Sequence, residues 1–152
     1  MGSAQVSFWQ MNQIVKKLED RLLGQFETLA LRLSTEFPNV GARAYSVPVG
    51  SATEYQGHGI FVDCILTDAR DDEVDNVCLN VRLAYLTTRP RINADVVWGH
   101  PSGHSEADFL EEWQSSREWP EVTDEILERL YADLPRLEDA LVAAVRRRTP
   151  ND

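Results

Sequence analysis

The sequence predicts an α+β domain: a long N-terminal helix, an antiparallel meander sheet of four or five strands, and a C-terminal helix, packed as two layers. Apolar residues repeat with helical spacing near both ends of the chain and with a period of two in between. The loops between the alternating segments are short, which favours antiparallel pairing, because a parallel connection needs about a dozen residues or more. We therefore predict one domain, residues 1–152.

The first predicted element is a helix from Phe8 to Phe37, capped by Ser7 and ended by Pro38. Its apolar residues follow steps of three and four, as one helical face requires: Phe8, Met11, Val15, Leu18, Leu22, Phe26, Leu29 and Leu33. Three neighbours widen this face: Ile14, Leu23 and Leu31. We expect the helix to pack against more than one element, and so wide a stripe also permits a homodimer.

Four strands follow, because the apolar period changes to two. Their apolar positions are Tyr45, Val47 and Val49; Ile60, Val62, Cys64 and Leu66; Val77, Leu79, Val81, Leu83 and Tyr85; and Ile92, Ala94, Val96 and Trp98. An acidic loop from Asp68 to Asp75 separates the second and third strands, and a turn around Arg89 and Pro90 separates the third and fourth. Glycine and proline supply the turns.

A fifth strand is predicted after the turn from His100 to His104, since Ala107 and Phe109 alternate with acidic residues. The alternative is a short helix opened by Ser105, but the proline and glycine of the turn favour the strand. From Glu112 to Glu121 the chain is polar and is interpreted as an ordered loop.

The last element is a helix capped by Thr123, with acidic residues in its first turn and Arg146 to Arg148 in its last turn, as the helix dipole favours. Leucines keep helical spacing along it. Pro135 removes a hydrogen bond, so we expect a kink or a break into two helices there. Residues 1–6, with the vector-like Gly2 to Ala4, and residues 149–152 are expected to lie outside the fold as tails.

Negative charge is concentrated in one segment. Between Glu106 and Asp139, twelve carboxylates stand against three arginines, which accounts for nine of the net ten negative charges. Such a chain is poorly suited to nucleic acid, because cations that neutralise phosphates supply that affinity. The charge favours a basic protein partner.

The chain has no stretch of about 20 apolar residues that could cross a bilayer, and its N-terminus lacks the layout of a signal peptide. We expect a cytoplasmic protein that does not engage membranes. Cys64 and Cys78 are predicted to point to opposite faces of the sheet, so they cannot form a disulfide, and both are expected to be reduced thiols.

A metal site is the alternative that the histidines raise. His100 and His104 flank the predicted turn and Glu106 follows, so two imidazoles and a carboxylate could converge on one ion. The spacing is common by chance and no paired cysteine motif reinforces it, so turn and surface roles are favoured. No nucleophile elbow surrounds Ser102, and no phosphate-binding loop is present. We therefore predict no catalytic residue and no cofactor.

The sheet face away from the core is a candidate partner-binding surface. Pairing about the predicted turns sets Arg82 opposite Asp95 and Asp63 near Asn80. Three apolar residues share this face: Phe61, Ile65 and Val97. A mixed surface of this kind either binds a partner or lies under the C-terminal helix, and the sequence leaves both open.

Two tryptophans, Trp113 and Trp119, stand among acidic residues in the predicted loop. Their acidic neighbours are Glu111, Glu112, Glu118 and Glu121. Tryptophan is enriched at the centres of interfaces, so these residues are candidate anchors for a partner. Packing of the loop onto its own core is the favoured alternative.

The sequence as a whole predicts a non-catalytic, acidic protein-binding module for a basic partner. Immunity or antitoxin-like inhibitors and secretion-type chaperones share this size, charge and layout, and the comparison extends no further. A metal-binding domain or metal-dependent enzyme centred on His100 and His104, and a structural oligomerisation unit that uses the first helix, are the alternatives.

Overall fold

The computed structural model describes residues 8–51, 54–68, 70, 72–84, 91–99, 108–114 and 124–148. They form α1 (Phe8–Glu36), β1 (Val40–Ser51), β2 (Glu54–Thr67), β3 (Glu73–Ala84), β4 (Arg91–Gly99), β5 (Asp108–Gln114) and α2 (Asp124–Arg148). The strands make one antiparallel sheet in the order β1-β2-β3-β4-β5. The predicted α+β meander is confirmed, with five strands. Ser7, Thr123 and both predicted tails lie outside the described residues.

The apolar stripe of α1 lies in the core, as predicted. Its buried members are Val15, Leu18, Leu22, Phe26, Leu29 and Leu33. Ile14 and Leu23 pack at the edge of the core. Leu31, by contrast, is 69% exposed, so its assignment to this face was wrong. Leu31 is two residues from both Leu29 and Leu33, which corresponds to a rotation of about 200° around the helix axis. Its side chain therefore points away from the side where Leu29 and Leu33 are buried.

Both helices pack on one face of the sheet. α1 contacts β1 and β2, whereas α2 contacts β3, β4 and β5. One hydrophobic core joins the two helices to alternate strand residues: Val40, Ile60, Val62, Cys64, Leu66, Val77, Leu79, Val81, Leu83, Ile92, Ala94 and Val96. We call the side that these residues share the inner face and the opposite side the outer face. The alternative in which the C-terminal helix covers the outer face is therefore wrong.

The faces of β1 differ from the prediction. Tyr45 pairs with Phe61 and Val47 with Gly59, which places both on the outer face. The residues of β1 that face α1 are instead Val40 and small residues such as Ala42 and Ala44. Small side chains let α1 approach this edge strand closely, so the larger residues of the strand lie on the other side.

β5 confirms the preference for a strand over a helix after the histidine turn, but it lies later in the chain. It runs from Asp108 to Gln114, so residues 112–114, which were predicted as loop, belong to the strand. Residues 105–107 lie outside the described residues. β5 is an edge strand with a register irregularity opposite Val96 and Val97, and its acidic residues hide the alternation that would have marked it.

α2 continues through Pro135 as one helix, so the predicted break does not occur. Pro135 is exposed, while Leu134 and Leu137 beside it are fully buried. The apolar contacts on both sides of the proline hold the helix together despite the missing hydrogen bond. Among the described residues, no helix is long and apolar enough to cross a membrane.

The two helices run parallel to each other. Lys17 Nζ lies 2.8 Å from Asp124 Oδ1 near their N-termini, and Arg146 contacts Glu36 at 3.2 Å near their C-termini. Between these contacts, the Arg21 guanidinium lies 5.0 Å from the centre of the Tyr131 ring. Because these pairs are exposed, they contribute little to stability, and their main effect is to align the two helices.

Leu22→Ala should lower the free energy of unfolding by about 2–5 kcal/mol. The variant loses the transfer free energy of the removed methyl groups and leaves a cavity in the core. Leu22 is fully buried in the centre of α1. Leu31→Ala on the same helix is the matched control and should change it by less than about 0.5 kcal/mol. Urea unfolding followed by circular dichroism measures both, and equal losses would contradict the assignment of the two faces.

Candidate partner-binding surface

The strand register arranges the outer face in rows. The rows are Arg43, Asp63, Cys78 and Val97; Tyr45, Phe61, Asn80 and Asp95; and Val47, Gly59, Arg82 and Asn93. Aromatic and aliphatic residues occupy β1 and β2, whereas amides and charged residues dominate β3 and β4. No described helix packs on this face. The outer face is therefore divided into an apolar half and a polar half.

The apolar half is built around an aromatic pair. The ring centres of Tyr45 and Phe61 are 5.2 Å apart with a tilt of 43°, which is a favourable aromatic geometry. The Phe61 ring lies over Gly59, where a Cβ atom would overlap it. Both rings remain partly exposed. The glycine thus supplies the space in which the ring lies flat along the strand.

The polar half is held by a hydrogen-bonded chain across β3 and β4. Asn80 Nδ2 donates to Asp95 Oδ1 at 2.7 Å, and Cys78 Sγ donates to Asn80 Oδ1 at 2.8 Å. Asn80 and Asp95 are only 4% and 8% exposed. Between β3 and β2, Asn76 Nδ2 donates to Asp63 Oδ1 at 2.6 Å. Satisfied polar groups of this kind fix the side chains of a surface in one arrangement.

Both thiols are protonated and unreactive in this environment. Burial, with a smaller contribution from Asp63, raises the pKa of Cys64 to about 12. Burial and the same carboxylate also raise the pKa of Cys78. Because the thiolate is the reactive form, neither residue is suited to nucleophilic chemistry at neutral pH. The cysteines are free, as predicted.

The predicted pairing across the outer face was displaced by two residues. Arg82 pairs with Asn93, and Asp95 pairs with Asn80. Asp63 pairs with Cys78 and receives its hydrogen bond from Asn76, instead of lying beside Asn80. The sequence does not determine how many residues form each turn between strands, and this number sets the register. A shift of two leaves every side chain on its predicted face, so the face was correct although the partners were not.

The remaining predicted site residues are only partly within the described chain. The backbone register sets Glu112 opposite Asp95, Glu111 opposite Val96 and Trp113 opposite Ala94. Outside the described residues lie Trp119, Glu118, Glu121, His100, His104 and Glu106. Within the described part of the chain, no group of three potential metal ligands comes together.

Several residues of this surface were missed. Tyr45 was assigned to the apolar period of its strand, and only the register shows that it lies on the outer face. Cys78 and Asn80 were correctly placed on this face by the polar alternation of β3, which also includes Asn76, but the hydrogen bonds of these three residues were not predicted. Which amide would join which carboxylate depends on pairing between strands that are distant in sequence, so the signal did not extend to the network.

Within the described residues, the acidic segment is divided between two elements. Part of it lies in β5 at the sheet edge and part in α2. Along α2, six carboxylates are accompanied by five arginines, and Arg129 pairs with Glu125 at 2.9 Å. Much of the helix charge is thus balanced locally. The described acidic residues that approach the outer face are Asp63 and Asp95, with Glu112 beside Asp95 in the register.

The edges of the sheet are protected against further strand pairing. At β1, the Ala42 amide donates to Ser34 Oγ at 3.1 Å, and Pro48 has no amide hydrogen to offer. β5 is short and its sequence contains three carboxylates. Prolines and charges at edges discourage added strands. A partner is therefore better accommodated on a face of the sheet than at an edge.

A second polar pair lies on the inner face beside α1. Ser46 Oγ and His58 Nε2 are 2.6 Å apart. Burial lowers the pKa of His58, and Glu19 opposes this shift more weakly. The contact links β1 to β2.

Comparisons with protein-family models, with curated proteins and with solved structures find no match. The role of the outer face is therefore inferred from its own side chains. Its partly exposed aromatic pair is a feature that protein interfaces share, because tyrosine and phenylalanine are enriched there.

Gly59→Ala should force the Phe61 ring away from the strand and separate it from Tyr45, at a cost of about 1–3 kcal/mol. Gly41→Ala is the control, because a Cβ atom there meets nothing within 4 Å. In a Phe61→Ala background, the Gly59→Ala change should cost less than about 0.5 kcal/mol, since the two residues share one contact. Chemical unfolding of the four variants tests this, and strict additivity would contradict it.

The lowered pKa of His58 makes its folded form prefer the neutral ring, whereas the unfolded residue titrates near its ordinary value of 6.5. The neutral His58 ring therefore stabilises the fold fully above the unfolded pKa of 6.5, and this stabilisation is lost as pH falls through the lowered pKa of the folded protein. Between about pH 7.5 and pH 5, the wild type should lose more unfolding free energy than His58→Gln. Parallel losses in the two proteins would show that His58 does not control this dependence.

Proposed function

We propose that the protein is a non-catalytic binding module for a basic protein partner. The observation that carries the proposal is the asymmetry of the sheet. One face is closed by both helices, and the other bears a half-exposed aromatic pair beside ordered carboxylates with no described helix upon it. Exposed apolar patches with polar borders are typical of interaction sites.

The overall charge supports a basic partner. The chain carries a net charge of −10, most of it between Glu106 and Asp139. A charge of this size attracts cationic proteins over distance and accelerates their association. Candidate anchors beyond the described residues are Trp119 and the acidic residues near it, which remain predictions.

Within this class, we favour an inhibitor of the immunity or antitoxin type, or a chaperone that holds a basic protein before secretion. Both roles need a stable acidic domain that binds without chemistry, and both operate in the cytoplasm, where two free thiols are suitable. A metal-dependent role for His100, His104 and Glu106 is the competing hypothesis, and metal analysis of the purified protein separates the two.

The partner should be isolated by affinity capture from cells that produce the protein, and its association rate should then be measured over a range of salt. The rate should fall steeply as salt rises to 1 M, because the Debye length shortens from about 8 Å to about 3 Å. A captured partner whose rate is indifferent to salt would contradict the charge-based proposal. Stoichiometric zinc, lost together with function in His100→Ala/His104→Ala, would favour the metal hypothesis.

A further inference from the structure

We infer that the outer face of the sheet is itself the binding site, and that its ligand is a short amphipathic basic segment of another protein. In this arrangement, apolar side chains of the segment cover Tyr45 and Phe61, and a lysine or arginine lies over Asp95, which is 8% exposed. The inference rests on the proposed function and adds the location of the site and the chemistry of the ligand.

The apolar half offers a preformed platform. Tyr45 and Phe61 lie side by side, with Val47 next to Tyr45 on β1 and with Ile65 farther along β2 on the same face, beyond Asp63. All four side chains are partly exposed. Because Gly59 fixes the position of the Phe61 ring, the platform needs little ordering when a ligand binds. Rigid aromatic side chains are the residues on which interface energy concentrates.

The polar half contains one described carboxylate, Asp95. Asp63 has Arg43 as its cross-strand partner. Asp95 has Asn80 on one side and, in the backbone register, Glu112 on the other. Among the described residues, Asp95 makes a hydrogen bond but no ion pair. A cation from a ligand would be stabilised beside a carboxylate that has no ion pair with another described residue.

The size of the face suits a short segment. Five strands spaced about 4.8 Å apart span about 19 Å across the sheet. The three rows together cover about six residues of each strand, which span about 20 Å along the strands. A helix with side chains is about 10 Å wide and advances 1.5 Å per residue, so about 13 residues cross the face. A segment of that length can place an apolar stripe over β1 and β2 and a cation over β4.

A second copy of this chain fits the face poorly. Stacked sheets keep their strands within about 30° of each other, and two copies are related by a twofold axis. For full overlap of the two faces, an axis along the strands passes over the central strand β3 and sets Phe61 of one copy over Asp95 of the other. An axis across the strands that passes along the row of Asp95 sets the two Asp95 residues against each other. The first buries a carboxylate beneath an aromatic ring and the second opposes like charges, so a heterologous ligand is favoured.

The probe is a synthetic helical peptide of about 14 residues with leucines on one face and lysines along the border of that face. A peptide with glutamate in place of every lysine, and a shuffled peptide of equal composition, serve as controls. Amide chemical shifts of the isotope-labelled protein locate binding. We expect the lysine peptide to shift Tyr45, Phe61 and Asp95, and the two controls to bind more weakly.

Asp95→Asn keeps an oxygen that can accept the hydrogen bond from Asn80 but removes the charge, and should weaken the lysine peptide about tenfold. Asp139→Asn, on the exposed side of α2, is the matched control and should leave affinity unchanged. Tyr45→Lys at a partly exposed position adds repulsion and should weaken binding without unfolding the protein. Thermal unfolding of each variant confirms that the fold is kept.

Shifts confined to α2, or equal effects of Asp95→Asn and Asp139→Asn, would overturn the outer face as the site while leaving the binding of basic proteins in place. Equal binding of the lysine and glutamate peptides would overturn the role of charge. Absence of peptide binding, or a concentration-dependent dimer abolished by Tyr45→Lys, would also overturn the inference. The proposed function is judged separately, by the captured partner and its dependence on salt.

Discussion

The burial of one sheet face beneath two helices is the constraint on which the other features depend. α1 covers β1 and β2, α2 covers β3 to β5, and a single core joins both layers. Because side chains alternate along a strand, fixing the inner face fixes the outer face as well. The apolar residues that remain outside, above all Tyr45 and Phe61, are there because the inner positions belong to the core.

The margins of the two layers are secured by polar contacts. Arg148, in the last turn of α2, lies 4.4 Å from the centre of the Trp98 ring and 3.4 Å from Asp75 Oδ2. Trp98 also donates its indole hydrogen to Asp75. Because these groups are largely shielded from water, the cluster holds the end of α2 on the sheet more firmly than the exposed pairs between the helices. The end of α2 is thus held on the inner side of the sheet.

The outer face combines a well-ordered polar half with a partly exposed aromatic half. The hydrogen bonds from Cys78 through Asn80 to Asp95 fix one half, and the packing of Phe61 over Gly59 fixes the other. A surface ordered before binding loses little conformational freedom when a ligand arrives. The protected strand edges and the negative charge of the chain support the proposal of a cationic partner on this face.

Periodicity in the sequence determined the elements and the core residues, since the three-and-four spacing of α1 and the alternation in β2, β3 and β4 depend only on local geometry. Tertiary structure alone decided the faces of β1, the continuity of α2 through Pro135, and the pairing of Asp95 with Asn80 instead of Arg82. These features follow from contacts between segments distant in the chain. A local pattern carries the period of a strand, but not its register or the layer that will cover it.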